Sequence, residues 1–506
     1  MKRILNISLT IFIAFFWVCL LIGQAQSFQS KKDQVKTCVL KNGLKFIVME
    51  RHHAPVVSFH VYADVGSANE SYGITGISHL LEHMAFKGTK IIGTRNYLEE
   101  VKILEQMDSL YEEITREETR PFPDSQKIEE KKGRFEELRI KAKEYVVTDE
   151  FVDMMMKEGD QMLNAYTNND ATQYVDSFPS NKLEFWMAMT SDRFLNPVFR
   201  EFYKERDVVI EERRLSIETR SLGRLVEDFI VAAFKAHPYR HGVIGFMSDL
   251  KRITRGDVEN YFKKYCGPNN LTVAIVGDVL AEEVFEMAEI YFGRIQSGEK
   301  PEHVRTMEPE QWGERRIYVE MQAQPFLLMG FHRPEARHED DPALEALANI
   351  LGQGRSSRLN RVLVNQDKVS VECGVFNGFP GDKFPNLIAF YAVPAHNHSS
   401  AECLELIDLE IEKIKKESVT EDELAKFRRN SIKRSLDQMK SNENMAEQLA
   451  YADVVLGDWG LLFDRIKKIQ DVTTEDIQRV ANKYLVKKNR TIGEIIPEEK
   501  QKGAGE

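Results

Sequence analysis

The chain has 506 residues, 42% of them hydrophobic, and 69 Lys and Arg against 80 Asp and Glu. The net charge of −11 argues against nucleic acid as the main partner, and the length exceeds what one hydrophobic core usually spans, so two or more domains are expected. Cys38, Cys266, Cys373 and Cys403 are scattered without a C-x-x-C pair, which argues against a cysteine metal site.

Residues 1–27 read as an export signal outside the fold. Lys2 and Arg3 open it, residues 4–23 form an apolar run, and Gly23-Gln24-Ala25 is a small-x-small cleavage site. The run is also long enough to serve as an uncleaved anchor. The expected location is therefore exported, periplasmic or in the cell envelope. From Lys36, alternating apolar residues around Asn42-Gly43 predict a hairpin, and residues 56–65 predict a further strand.

After a glycine-rich turn at residues 73–76 comes I-S-H-L-L-E-H-M-A-F-K-G-T, with His79, Glu82 and His83 spaced H-x-x-E-H. On a helix His79 and His83 lie one turn apart on one face and can aim two imidazoles at one metal ion. Glu82 projects beside them, within reach of a water on that metal. Zinc suits such ligands, and a catalytic zinc keeps one position open for water. Ile74, Ile77, Leu80, Leu81 and Met84 predict a buried helix. A buried Glu between two His is costly unless compensated, and a metal compensates it. The third ligand must come from elsewhere.

Residues 96–160 change character. One apolar stripe runs through Leu98, Val101, Leu104, Met107, Tyr111 and Ile114, and a second through Phe135, Leu138, Ala142 and Tyr145, amid dense Glu and Lys. This predicts a charged antiparallel helical hairpin, which reads most simply as a solvated arm with no chemistry. Residues 162–175 alternate like a strand pair, and residues 183–194 predict a helix. Residues 201–220 predict one long carboxylate-rich helix on which Glu205 and Glu212, seven apart, share a face.

The clearest organisational signal is a repeat. Residues 253–272 align without gaps to residues 472–491, matching Thr254 to Thr473, Asp257 to Asp476, Lys264 to Lys483, Tyr265 to Tyr484 and Asn270 to Asn489. Each copy reads as a capped helix running into a strand, so two copies of one α+β domain are expected. The first domain spans residues 31–296 with the hairpin as an insertion. A linker follows at 297–315, then the second domain at 316–497 and a tail at 498–506. The second copy has no H-x-x-E-H.

Together these features resemble the pitrilysin/insulinase family of zinc metallopeptidases, in its bacterial processing-peptidase-like branch. The resemblance rests on H-L-L-E-H-M-A-F-K-G-T, L-N-A-Y-T at 163–167, N-P-V-F at 196–199, E-R-D-V-V-I-E-E at 205–212, H-P-Y at 237–239 and G-x-G-x-S-S-R-L at 352–359. It implies two related domains forming a half-clamshell, each an antiparallel or mixed sheet flanked by helices. It implies Zn2+ held by His79, His83 and Glu212, with Glu205 supporting the ligands and Glu82 as general base. It also implies that Asn164 and Ala165 lie on an edge strand that pairs with the substrate backbone.

Two departures stand out. His83 and Glu212 are 129 residues apart, longer than the family norm, and the hairpin accounts for the excess. The family's Arg and Tyr, seven apart in the second domain, are replaced here by Val364 and Val371, and no other Arg there has a Tyr seven residues on. The reading is therefore a zinc endopeptidase acting on peptides or unfolded segments, paired with a sequence-related chain that supplies the missing Arg and Tyr. The rival readings are an idle assembly subunit of the same fold and a metal-binding scaffold whose hairpin is the working part.

Overall fold

A computed structural model describes residues 30–498, so the export-signal reading of residues 1–27 lies outside the described residues. The first sheet holds β1 (Val35–Val39), β2 (Lys45–Glu50), β3 (Val56–Ala63), β4 (Asn164–Thr167), β5 (Thr172–Pro179) and β6 (Leu271–Gly277). Its order is β1-β2-β6-β3-β5-β4, with only β2 and β6 parallel. The second sheet holds β7 (Arg315–Met321), β8 (Phe326–Arg333), β9 (Ser370–Phe376), β10 (Asn386–Pro394) and β11 (Arg490–Pro497). Its order is β7-β11-β8-β10-β9, and only β7 and β11 are parallel. The five strands of the second sheet thus repeat β2-β6-β3-β5-β4 of the first. The expected α+β fold with two related mixed sheets flanked by helices is observed.

The repeated sequence does the same work twice. Thr254 and Thr473 each accept the backbone N–H of the Asp three residues on, and that Asp returns the bond to the Thr N–H. Such reciprocal caps satisfy two N–H groups that a helix end leaves unpaired. Asn270 and Asn489 each donate to the carbonyl of the Tyr five residues earlier, at 2.9 and 3.3 Å. This fixes the corner from which the helix turns into β6 or β11.

The two halves exchange helices. Ser221–Ala233 follows the first half's carboxylate-rich helix yet packs on the second sheet, burying Leu225, Phe229 and Ile230 against Leu328, Leu387 and Ile495. Asn442–Val455 belongs to the second half yet packs on the first sheet, burying Met445, Leu449 and Ala450 against Ile47, Met49 and Ala274. Each sheet therefore has one face covered by its own half and the other covered partly by a helix from the opposite half. Buried apolar contact of this extent holds the halves as one body.

The hairpin forms as two helices, Tyr97–Glu118 and Ser125–Lys143. It closes on itself where Arg95 N–H donates to Tyr145 at 2.7 Å and Val147 N–H donates to Gly93 at 3.0 Å. The solvated-arm expectation fails for the first helix, which is docked, while the second helix buries only Ile128 and Ala142. Ile103, Leu104, Met107, Leu110 and Ile114 are buried, while Leu98 is 70% exposed and so is not part of the packed stripe. Tyr111 and Phe135 pack around Tyr203, and Asp108 pairs with Arg255 at 2.6 Å. Among the described residues no helix is long and apolar enough to cross a membrane.

Candidate metal centre

The H-x-x-E-H sequence sits on a helix of eight residues, Ile77–Met84. Its start is fixed by Gly76 at φ +90°, where a Cβ would come within 2.5 Å of the Ile244 carbonyl; only glycine adopts this turn freely. The carboxyl of Glu70 accepts the Gly76 and Ser78 N–H groups at 2.8 Å each, capping the positive end of the helix. Ile77, Leu80, Leu81 and Met84 are buried against the first sheet's core. His79, Glu82 and His83 are only half-buried. The predicted buried helix is observed in its apolar residues, while the three chemical residues stay half-buried together on the other side.

The predicted helix over 201–220 is shorter. It runs Phe202–Arg213 and continues as a widened turn, Arg214–Glu218. Val209 and Ile210 are buried, but Val208 is 45% exposed. Its Glu205 and Glu212 point to the motif helix. Nε2 of His79 and of His83 lie 3.0 Å apart, and Oε2 of Glu212 lies 3.3 Å from the first and 3.6 Å from the second. Ligands bound at about 2.0–2.2 Å to a tetrahedral zinc lie roughly 3.3 Å from one another. The three donors, separated by 129 residues of chain, therefore already stand at the corners that one zinc requires. Of the described His, Cys, Asp and Glu residues, they are the one cluster able to hold a metal ion.

Electrostatics agree. Burial alone would lower the His79 pKa, but contact with Glu212 and its charge raise it overall. The Glu212 carboxyl is lowered, chiefly by its contact with His79, against a smaller burial effect. The triad thus favours a positive charge at its centre. Glu205 does not join the triad; its Oε2 lies 3.7 Å from the other nitrogen of His83, Nδ1. Burial would raise the Glu205 carboxyl, yet His83 and Lys87 bring it down to about 2. The Glu205 carboxylate thus stands on the Nδ1 side of His83, opposite the Nε2 that faces Glu212. Among the described residues no hydrogen bond engages the Glu82 carboxyl.

Asn164 and Ala165 lie on β4, the outermost strand, beside the motif helix. β4 pairs only with β5. The Ala165 N–H is not in that ladder; it donates to the Asn164 side chain at 2.9 Å. The Ala165 N–H is thus held by its own neighbour, on the strand that forms the edge of the sheet. In the second half Val364 lies in the helical segment Asn360–Gln366, and Val371 is 58% exposed on the edge strand β9. Glu70 and Lys87 were not singled out in the sequence. Glu70 precedes its helix by a loop and carries no spacing signal, whereas Lys87 stands inside the K-G-T end of the motif.

A family model described as insulinase, peptidase family M16, matches residues 45–115, and one described as the M16 inactive domain matches residues 252–431. The chain belongs to the insulinase-like M16 family. It is 28% identical over 493 residues to the zinc protease PqqE of Helicobacter pylori, covering 96% of each chain. It is 24% identical over 482 residues to a probable mitochondrial-processing peptidase subunit beta of Arabidopsis thaliana, covering 92% of this chain and 78% of that one. The crystal structure of a protease from Helicobacter pylori superposes with a TM-score of 0.77 at 26% identity, over 92% of this chain and 99% of the other. The periplasmic protease PqqL of Escherichia coli shares the fold at a TM-score of 0.67 and 16% identity, with this chain spanning 47% of its length.

Proposed function

We propose that this M16 protein is a zinc-dependent endopeptidase that cleaves peptides or unfolded segments held as extended strands. The observation that carries the reading is the convergence of His79, His83 and Glu212 at zinc-ligand spacing beside a free Glu82 and an open sheet edge. Zinc bound by these three residues would acidify a water and polarise the scissile carbonyl. Glu82, next to that position, takes the water's proton and passes it to the leaving amine. Glu205 supports His83 from its Nδ1 side. β4 receives the peptide backbone as an added strand at Asn164 and Ala165.

The carbonyl also needs donors on its far side. Val364 and Val371 stand where the resemblance expects Arg and Tyr, so a sequence-related partner chain supplies that pair. The domain limits 31–296 and 316–497 are part of the same reading, as is an exported location set by residues 1–27. An idle assembly subunit would have no need for all four of His79, Glu82, His83 and Glu212. The test is cleavage of a mixed unstructured peptide pool by the zinc-loaded chain, alone and with a candidate related chain. Cleavage only in the mixture supports the split site; cleavage by the chain alone removes the need for a partner.

A further inference from the structure

Lys87 lies just past the motif helix, and its ammonium reaches back to Glu205 Oε1 at 2.7 Å, with Glu201 Oε2 at 3.8 Å. Lys87 and Glu205 are both nearly buried, with side chains 13% and 12% exposed. The other oxygen of Glu205 faces His83 Nδ1. Lys87 is itself held from behind. Arg200, 1% exposed, donates to the backbone carbonyls of Lys87, Thr89 and Ile92, the last two at 2.6 and 3.0 Å. Its remaining guanidinium edge pairs with Glu100 at 3.0 and 3.4 Å, and Glu100 is fully buried in the first helix of the hairpin. An unbroken chain of contacts therefore runs Glu100, Arg200, Lys87, Glu205, His83.

We infer that Lys87 is a positioning residue for the metal centre, and that the helical hairpin is part of that centre's framework through Glu100 and Arg200. The inference rests on the zinc reading above and assigns a task to the one large element which that reading left unused. The logic is geometric. A buried carboxylate with one oxygen on an ammonium has only the other left for His83, so its direction is set. A buried arginine with five acceptor oxygens around it fixes the loop that carries Lys87. Glu100 supplies the charge without which that arginine would be a buried unpaired cation.

The test measures zinc affinity of the full chain by competition with a chromogenic chelator, and the visible spectrum after cobalt(II) substitution, which reports tetrahedral geometry. Lys87→Met should weaken zinc binding about 10- to 100-fold, the usual effect of losing support behind a ligand. It should also weaken the cobalt band while thermal unfolding shows a folded protein. Lys87→Arg, which keeps a cation opposite Glu205, should recover most of the affinity. Glu100→Gln should shift affinity in the same direction by less. A folded Lys87→Met protein with wild-type zinc affinity and spectrum overturns the inference. Wild-type affinity in a folded Glu100→Gln protein removes the hairpin from it. Failure of the wild-type chain to bind zinc overturns the zinc reading instead.

Discussion

Phe229 offers a quantitative test of the helix exchange. It sits on the first half's helix Ser221–Ala233, is 0% exposed, and enters the second sheet where two strands carry glycine. A Cβ added at Gly330 on β8 would lie 3.0 Å from Phe229 Cζ, and one at Gly493 on β11 would lie 3.2 Å from Phe229 Cδ2 and 3.0 Å from Leu225 Cδ1. The two glycines thus form the recess that the ring fills. Phe229→Ala should cost about 3–5 kcal/mol, the transfer and cavity cost of a buried ring. Gly493→Ala should cost about 1–3 kcal/mol by overpacking. In the double variant the new methyl occupies space vacated by the ring, so the combined cost should fall short of the sum by about 1 kcal/mol. Urea unfolding followed by circular dichroism and by tryptophan fluorescence measures all three. Because the helix ties the halves together, both probes should report one shared transition. Additive costs, a Phe229→Ala cost below about 1 kcal/mol, or separate transitions would refute the reasoning.

Three further outcomes are expected. Glu212→Gln removes the proposed third ligand and should weaken zinc binding by about 100-fold, measured by chelator competition. Ala165→Pro deletes the N–H that donates to the Asn164 side chain on the edge strand. It should raise KM for peptides with zinc content unchanged. Burial pushes the Glu70 carboxyl from 4.5 up to about 8, against two backbone donors that pull it down. Its folded pKa is thus the higher one, the folded chain holds the extra proton between those values, and stability contributed there is lost as pH rises through the window. Glu70→Gln, which stays neutral throughout, should flatten the stability profile between pH 5 and 8.

The parts legible in the sequence were those set by local chemistry. Thr254 with Asp257, and Thr473 with Asp476, announce helix starts because a cap needs only four residues. The H-x-x-E-H spacing fixes three side chains on one helix face, and the seven-residue spacing of Glu205 and Glu212 puts both toward it. The helix exchange was not legible. Leu225, Phe229 and Ile230 show that a face is buried, but periodicity does not say which sheet buries it. The docking of the hairpin's first helix is not legible for a related reason. Its Glu and Lys density marks a solvated helix, while the contacts that dock it, Tyr111 on Arg206 and Glu100 on Arg200, join residues about a hundred positions apart. The break after Arg213 carries no Gly or Pro; the chain widens there where Arg213 is drawn inward to Glu227 at 2.8 Å.

The most direct measurement of the central claim is peptide cleavage by the zinc-loaded protein, with its partner if one is required, compared with Glu82→Gln prepared identically. The account predicts equal zinc in both proteins and cleavage reduced at least about 100-fold in Glu82→Gln, since a positioned general base contributes that much. Equal cleavage by both proteins, or none by either with zinc fully bound and the partner present, would contradict it.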